Sequence, residues 1–265
     1  MQTLEATSDW RAQDGLTATS LRALLDGEIP AICIAGFASK EECRALCDAI
    51  RSGAVAGRAA QTSTMNLIGA NFSNHAGTKA EYFEHVKSSY ADVGRLYERA
   101  GFSPLERMIE KLQAIWPGHV GVAQEPGHGR YFAGGFKTRS TSGHMHYDFA
   151  PHTAPDYAIG GIVDQLGWNL YLDMPTGTGE TITYRRPVPR DVKLGSGAAR
   201  ALDIDRNYVA GAESYTFRPE IGDVVIINTR NPHDIIVGSV VPGEWRAQTS
   251  SFIGRLPNDD LILWS

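Results

Sequence analysis

Near residue 119 the chain changes its hydrophobic period, and that change limits the possible folds more than any other feature of the sequence. Before it, apolar residues recur every three or four positions. After it they come in short runs or alternate, as in "HVGVAQ", "RYFAGGFKT", "GWNLYLDM", "GETITYRR", "GDVVIINT" and "WRAQTSSFIG", with Gly, Pro or Asp between runs. A period near 3.6 specifies helices and a period of two specifies strands. The expected fold class is therefore α+β: a helical N-terminal part over about 20–118, then a mostly antiparallel β part over about 119–255. Short strands at this spacing form sandwiches or jelly rolls, and amphipathic helices beside them pack on one sheet. No Pro/Ser-rich or charged break separates the two parts and no fixed-period repeat occurs, so residues 1–265 are expected to form a single domain.

The helical part carries its own start signals. "AICIAG" is an apolar run that ends at Gly36, and Ser39 with Glu42 has capping-box spacing ahead of a helix. Thr78 and Glu81 repeat that spacing before Phe83, Val86, Tyr90, Val93 and Tyr97, which predicts a long amphipathic helix. Ser103, Pro104 and Glu106 open another, with Leu105, Met108, Ile109, Leu112 and Ile115 as its stripe and Pro117–Gly118 as its stop. Residues 51–77, rich in Gly, Ala, Ser and Asn, predict irregular backbone or weak strands, or a loop over a site. Of the three cysteines, Cys43 and Cys47 lie at i, i+4 beside Leu46 and Ile50, which makes them buried structural thiols rather than a metal pair.

Charge restricts the partners. A formal net charge of -5 gives no basic field for nucleic acid or an anionic membrane, so a small-molecule substrate is expected. The start, "MQTLEATSDWRAQDG", lacks a basic and apolar leader pattern, and no apolar run approaches the roughly 18 residues of a membrane span, so a cytoplasmic location is expected. Oligomeric state is not written in the pattern.

The chemistry is concentrated in "SGHMHYDFAP". An extended backbone there sends His144, His146 and Asp148 to one face. His146 and Asp148 suit an octahedral metal if a third ligand arrives from elsewhere. "NTRNPHDIIVG" supplies His233 after an apolar run and a tight turn. Two imidazoles and a carboxylate form the facial triad of non-heme iron, which leaves three coordination positions open. Thirteen residues on, Arg246 in "GEWRAQTSSFIG" can grip a carboxylate bidentately. His144 reads better as a pocket or core residue, since no further ligand follows as a cupin site requires. Arg130, Lys137 and Arg139 are cations that can neutralise a substrate carboxylate. No G-x-S-x-G elbow or phosphate-binding glycine loop is present.

The order H-x-D, distant His, then Arg on the next strand resembles the Fe(II)/2-oxoglutarate-dependent dioxygenases, whose core is a double-stranded β-helix, a jelly-roll variant. The "PEIGDVVIINTRNPHDI" segment is similar to that family's approach to its distal ligand. Length, the helical first third and "GWNLYLDMP...GTGETITYRRP" resemble the branch with N-substituted amino-acid hydroxylases and carrier-independent radical halogenases. The resemblance implies that His146, Asp148 and His233 hold iron(II) and are the catalytic centre, that Arg246 binds the distal carboxylate of 2-oxoglutarate, and that O2 is the oxidant. Asn169, Tyr171, Thr181, Thr183 and Ser250 lie on strands that border the cofactor, and Gln248 stands where relatives often place Ser. Halogenases of this fold carry Gly or Ala at the carboxylate position. With Asp148 retained, the resemblance implies hydroxylation of an aliphatic C–H in a free or N-substituted amino acid. Two other accounts stay open: a metal-dependent hydrolase or isomerase on a cupin-like barrel, and a non-catalytic small-molecule binder.

Overall fold

The computed structural model describes residues 9–52, 60–61, 65–72, 78–191, 202–238 and 244–265. Four helices form where side chains satisfy their first-turn N–H groups. In α1 (Ala18–Leu25), Thr17 and Ser20 cap each other reciprocally. In α2 (Lys40–Arg51) and α3 (Lys79–Ala100) the predicted capping boxes are present, at Ser39/Glu42 and Thr78/Glu81. The last residue of α3 is followed by Gly101, whose φ of 73° takes the left-handed turn that stops the helix. Ser103 and Pro104 open α4 (Pro104–Gln113). This helix ends before Ile115, because the Ala114 N–H bonds the carbonyls of Glu110 and Leu112 and the chain tightens there.

A large, mainly antiparallel sheet is built from strands β1 (Ala31–Ile34), β2 (Met65–Ile68), β3 (Val120–Val122), β4 (Gly135–Arg139), β6 (Asp164–Asp173), β9 (Val224–Asn228), β11 (Arg246–Arg255) and β12 (Leu261–Trp264). A smaller sheet holds β5 (His146–Tyr147), β7 (Thr181–Tyr184), β8 (Ser214–Phe217) and β10 (His233–Ile235). The order of these strands across the large sheet is β1-β9-β6-β11-β4-β2, with the two-residue strands Gln13–Asp14 and Ala60–Gln61 outside β1 and β2, and across the small one β5-β10-β7-β8, with Leu202–Asp203 outside β5. Along one edge, β11 pairs with β4 through Arg246–Ser250 and with β12 through Phe252–Arg255.

The N-terminal part supplies strands as well as helices. β1 sits in the large sheet beside β9, and β2 extends the opposite side against β4. Strand structure also runs past residue 255, through β12, which pairs with β3 in parallel. Of residues 51–77, Met65–Ile68 and Ala60–Gln61 are strands, while 53–59, 62–64 and 73–77 lie outside the described residues.

The pleat gives the large sheet two different faces. On one, Leu166, Trp168, Leu170 and Leu172 of β6, Val224 and Ile226 of β9, Ala247 and Ile253 of β11, and Phe136 of β4 are buried in the main core with residues of α1–α4. Helix α2 lies against the end of β6, where the thiols of Cys43 and Cys47 point at the carbonyls of Tyr171 and Leu172 at 3.9 and 3.7 Å. Burial pushes these thiols up to about 11 and about 12, so they are packed neutral groups. The opposite face meets the small sheet, with a smaller cluster of Ala31, Tyr171, Phe217, Val225 and Ile227 between them. Among the described residues, no helix is long and apolar enough to cross a membrane.

Candidate active site

The route from β9 to β10 explains how His233 reaches the site. Asn228 accepts the Arg230 N–H on its side chain at 3.1 Å and the Asn231 N–H on its carbonyl at 3.1 Å. This local turn carries the chain from the large sheet to the small one. His233 then opens β10 directly opposite His146 of β5, with ring centroids 4.3 Å apart and planes at 54°. Asp148 follows β5 and is fastened to the end of β9: its N–H donates to the Thr229 carbonyl at 2.8 Å, and the Thr229 hydroxyl donates to the Asp148 carbonyl at 3.0 Å. Gly167 lies beneath Thr229, where a Cβ would come within 2.8 Å of the threonine methyl.

These connections bring three ligating atoms together. Asp148 Oδ2 lies 3.7 Å from His146 Nε2 and 3.5 Å from His233 Nε2. Each residue offers one atom within 4.8 Å of the others, and this is the one such cluster of His, Cys, Asp or Glu among the described residues. Both imidazoles are oriented the same way. Nδ1 of His146 meets the His144 carbonyl at 2.7 Å, and Nδ1 of His233 meets the Asn231 carbonyl at 3.0 Å. A proton held at Nδ1 by a carbonyl leaves the Nε2 lone pair for a metal. Burial, reinforced by His146, pushes His233 down to about 4, which keeps that ring neutral. Two imidazoles and one carboxylate, oriented by backbone groups, are a donor set that fits iron(II).

Arg246 is the second half of the site. It is buried, and burial lowers its pKa. One Nη donates to Gln248 Oε1 and the other reaches Thr181 Oγ1 at 3.5 Å. Its Cζ lies 4.9 Å from the centre of the Tyr171 ring, and its Nε is buried with no hydrogen-bond partner. Among the described residues Arg246 pairs with no carboxylate. A buried guanidinium with an unmet donor fits the carboxylate of a bound dianion such as 2-oxoglutarate.

Both halves open on one cavity of about 480 Å³ between the sheets, a volume ordinary for a small-molecule site. Asn169 lines it and accepts a hydrogen bond from Gln248 Nε2 at 2.7 Å; Thr181 and Ser250 line it too, and Ser250 is in register with Asn169. Gln248 thus occupies the place expected for a second carboxylate contact and instead links Arg246 to Asn169. Lys137 and Arg139 of β4 also line the cavity. Arg130 does not: it is exposed and lies over Tyr90. Thr183 is buried opposite His233 and is not among the lining residues. The His144 ring is exposed, so it is not a pocket or core residue; its backbone carbonyl is what serves the site, by orienting His146. Sequence reasoning passed over Thr229, whose signal was a hydroxyl closing the apolar run "DVVIINT".

Comparison with known proteins agrees with this construction. The family model for the carrier-protein-independent halogenase WelO5 matches residues 12–259, which span all four residues His146, Asp148, His233 and Arg246. The Leucinostatins biosynthesis cluster protein S of Purpureocillium lilacinum is 32% identical over 203 residues, covering 73% of this chain and 82% of that protein. Two solved structures share the fold. One is an N-substituted L-amino acid dioxygenase from Burkholderia ambifaria AMMD in complex with alpha-KG, at 13% identity and TM-score 0.58, covering 94% of this chain and 91% of that one. The other is the non-heme alpha ketoglutarate dependent epimerase SnoN from nogalamycin biosynthesis, at 12% identity and TM-score 0.53, covering 88% and 82%. By sequence, then, the chain belongs to the carrier-protein-independent halogenase WelO5 family, a group of enzymes that use non-heme iron(II), 2-oxoglutarate and O2.

Proposed function

We propose that the protein hydroxylates an unactivated aliphatic C–H bond of a small molecule, with a free or N-substituted amino acid as the substrate class. His146, Asp148 and His233 hold the iron, and Arg246, with Thr181, Asn169 and Ser250 around it, receives 2-oxoglutarate. In this reading the two sheets are the halves of a double-stranded β-helix and the helices belong to the same domain. A cytoplasmic enzyme with no membrane or nucleic-acid partner is consistent with the acidic charge balance.

The observation that carries the proposal is the Asp148 carboxylate, 3.5 and 3.7 Å from the two imidazole nitrogens. When bound, iron and the keto acid supply the oxidising power, since O2 is reduced as 2-oxoglutarate is decarboxylated to succinate. The protein provides position and exclusion. His146, Asp148 and His233 would hold the metal, and the Thr229 clamp fixes Asp148 beside the two imidazoles. Arg246 binds the far end of the keto acid. Leu67, Phe72, Phe149, Tyr157 and Ile159 wall the cavity with apolar surface that keeps water from the reacting carbon.

The family's name favours a second reading, halogenation. That chemistry needs a coordination position for chloride, and Asp148 fills the position that a small residue would leave open. A hydrolase would use neither O2 nor a keto acid, and it gives Arg246 no task; a 2-oxoglutarate-dependent epimerase, as SnoN is, would instead return a product of unchanged mass. The test is turnover with iron(II), 2-oxoglutarate and chloride over a panel of N-substituted amino acids. Succinate release coupled to a product heavier by one oxygen atom is expected. A chlorinated product, or a product formed without O2, would overturn the proposal.

A further inference from the structure

The cavity carries more positive charge than iron and the keto acid require. Its charged lining groups are Lys137, Arg139, Asp148 and Arg246: three cations and one carboxylate. Iron(II), the Asp148 carboxylate, a dianionic keto acid and the Arg246 guanidinium together are electrically neutral. Lys137 and Arg139 are then left over, and of the two Lys137 is the one in register with Gln248 beside the keto-acid pocket. It makes no ion pair within 4.0 Å of a described carboxylate, and its ammonium senses Asp148, Arg139 and Arg246 at longer range. Burial pushes its pKa down, so a charged Lys137 is held there at a cost unless an anion joins it.

Its position makes it a groove residue. On β4, Lys137 pairs in register with Gln248 of β11 on one side and Leu67 of β2 on the other, and all three line the cavity. Gln248 is already committed to Arg246 and Asn169. The Lys137 ammonium therefore stands beside the keto-acid pocket without forming part of its hydrogen-bonded chain. Arg139 lies two residues along on the same face of the strand. Apolar Leu67, Phe72, Tyr157 and Ile159 border the same space, with Phe72 and Tyr157 packed edge to face at 4.6 Å.

We infer that Lys137 is a specificity-determining residue that binds the carboxylate of the substrate, so that the enzyme selects an anionic molecule with an apolar body and rejects its neutral counterpart. This rests on the proposed function above and adds to it the residue that reads the substrate and the charge it reads. Arg139 flanks this subsite, while Arg246 serves the keto acid alone.

The test is calorimetric titration, without O2, of enzyme loaded with iron(II) and 2-oxoglutarate. The probes are N-acetyl-L-leucine and N-acetyl-L-phenylalanine, each as the acid and as its primary amide. The wild-type protein is expected to bind at least one acid about tenfold more tightly than its amide, the difference made by one charge-assisted hydrogen bond. Lys137→Met should abolish that preference, Lys137→Arg should restore most of it, and neither should change the affinity for 2-oxoglutarate. Equal binding of acid and amide, no binding of either acid, or a preference that survives in Lys137→Met would overturn the inference. So would a weakening of 2-oxoglutarate binding in Lys137→Met, which would assign the ammonium to the keto acid. Failure of the proposed function looks different: wild-type enzyme would then fail to bind 2-oxoglutarate or to release succinate from it in air.

Discussion

The two faces of the large sheet are made from the same strands, yet they follow opposite rules. Along β6, Leu166, Trp168, Leu170 and Leu172 turn toward the helices, while Gln165, Gly167, Asn169 and Tyr171 turn toward the cavity. Along β11, Ala247 and Ile253 face the helices, while Arg246, Gln248 and Ser250 face the cavity. The helix face is close-packed with apolar side chains, and its one unpartnered polar atom among these strands is the indole nitrogen of Trp168. The cavity face keeps a buried guanidinium with an unmet Nε and a lysine with no paired carboxylate. Period two thus lets one strand carry stability on its odd or even positions and recognition on the others. Substitutions on the cavity face should therefore damage binding and spare stability, and substitutions on the helix face should do the reverse.

The sharpest way to break that contrast is at the metal. Asp148→Ala is expected to reduce succinate release to background and to weaken iron(II) binding, measured by anaerobic titration, while the thermal midpoint of the metal-free protein stays close to wild type. Asp148 is only half-buried and its side chain packs little core, so a large fall in that midpoint would mean that the site is also structural.

On the other face, Leu170→Ala should cost about 2–5 kcal/mol of stability, the usual range for emptying a buried leucine site. Leu170 is fully buried in the main core and does not line the cavity. Urea titration gives the loss, and iron(II) stoichiometry measured below the midpoint should be unchanged. Metal binding that falls in step with stability would show that the two faces are not separable.

How much of this contrast could be read in advance depended on the range of the interaction. Helix starts were legible because a cap needs partners only three residues apart, as at Ser39/Glu42 and Thr78/Glu81. The convergence of His146, Asp148 and His233 was legible because metal chemistry restricts residue type so strongly, and the placing of Arg246 on a strand beside the same cavity because a guanidinium thirteen residues beyond His233 can grip a carboxylate. What was hidden depended on long-range pairing. Nothing local says that β1 joins β9 or that β12 pairs with β3 in parallel, since both registers are set across more than a hundred residues. The same gap explains Thr183, which shares a strand with Thr181 but is covered beside His233 and is not among the lining residues. It also explains His144, where the backbone carbonyl matters and the ring, which a sequence displays, does not.

A smaller effect separates recognition from stability inside the cavity face. Arg246→Leu removes a guanidinium held over Tyr171 and replaces it with an apolar side chain. Losing a charge-assisted contact of about 1.5–3 kcal/mol should raise the KM for 2-oxoglutarate about ten- to a hundredfold. Because Arg246 is buried without a carboxylate partner among the described residues, the apo protein should lose no stability and can gain some. An unchanged KM for the keto acid would remove Arg246 from the site.

The smallest effect tests whether the polar chain on this face acts as a unit. Gln248 accepts from Arg246 and donates to Asn169 at 2.7 Å, so it fixes the guanidinium from the side opposite Thr181. Gln248→Ala keeps the charge and removes the brace. One hydrogen bond of about 1 kcal/mol corresponds to about a fivefold rise in the KM for 2-oxoglutarate. If Gln248 acts through Arg246, the double variant with Arg246→Leu should bind the keto acid no worse than Arg246→Leu alone, because the group being braced is gone. Additive losses would mean that Gln248 touches the keto acid itself, in the manner expected of a serine at that position. The cavity face would then hold two carboxylate contacts, with Asn169 left to anchor the second.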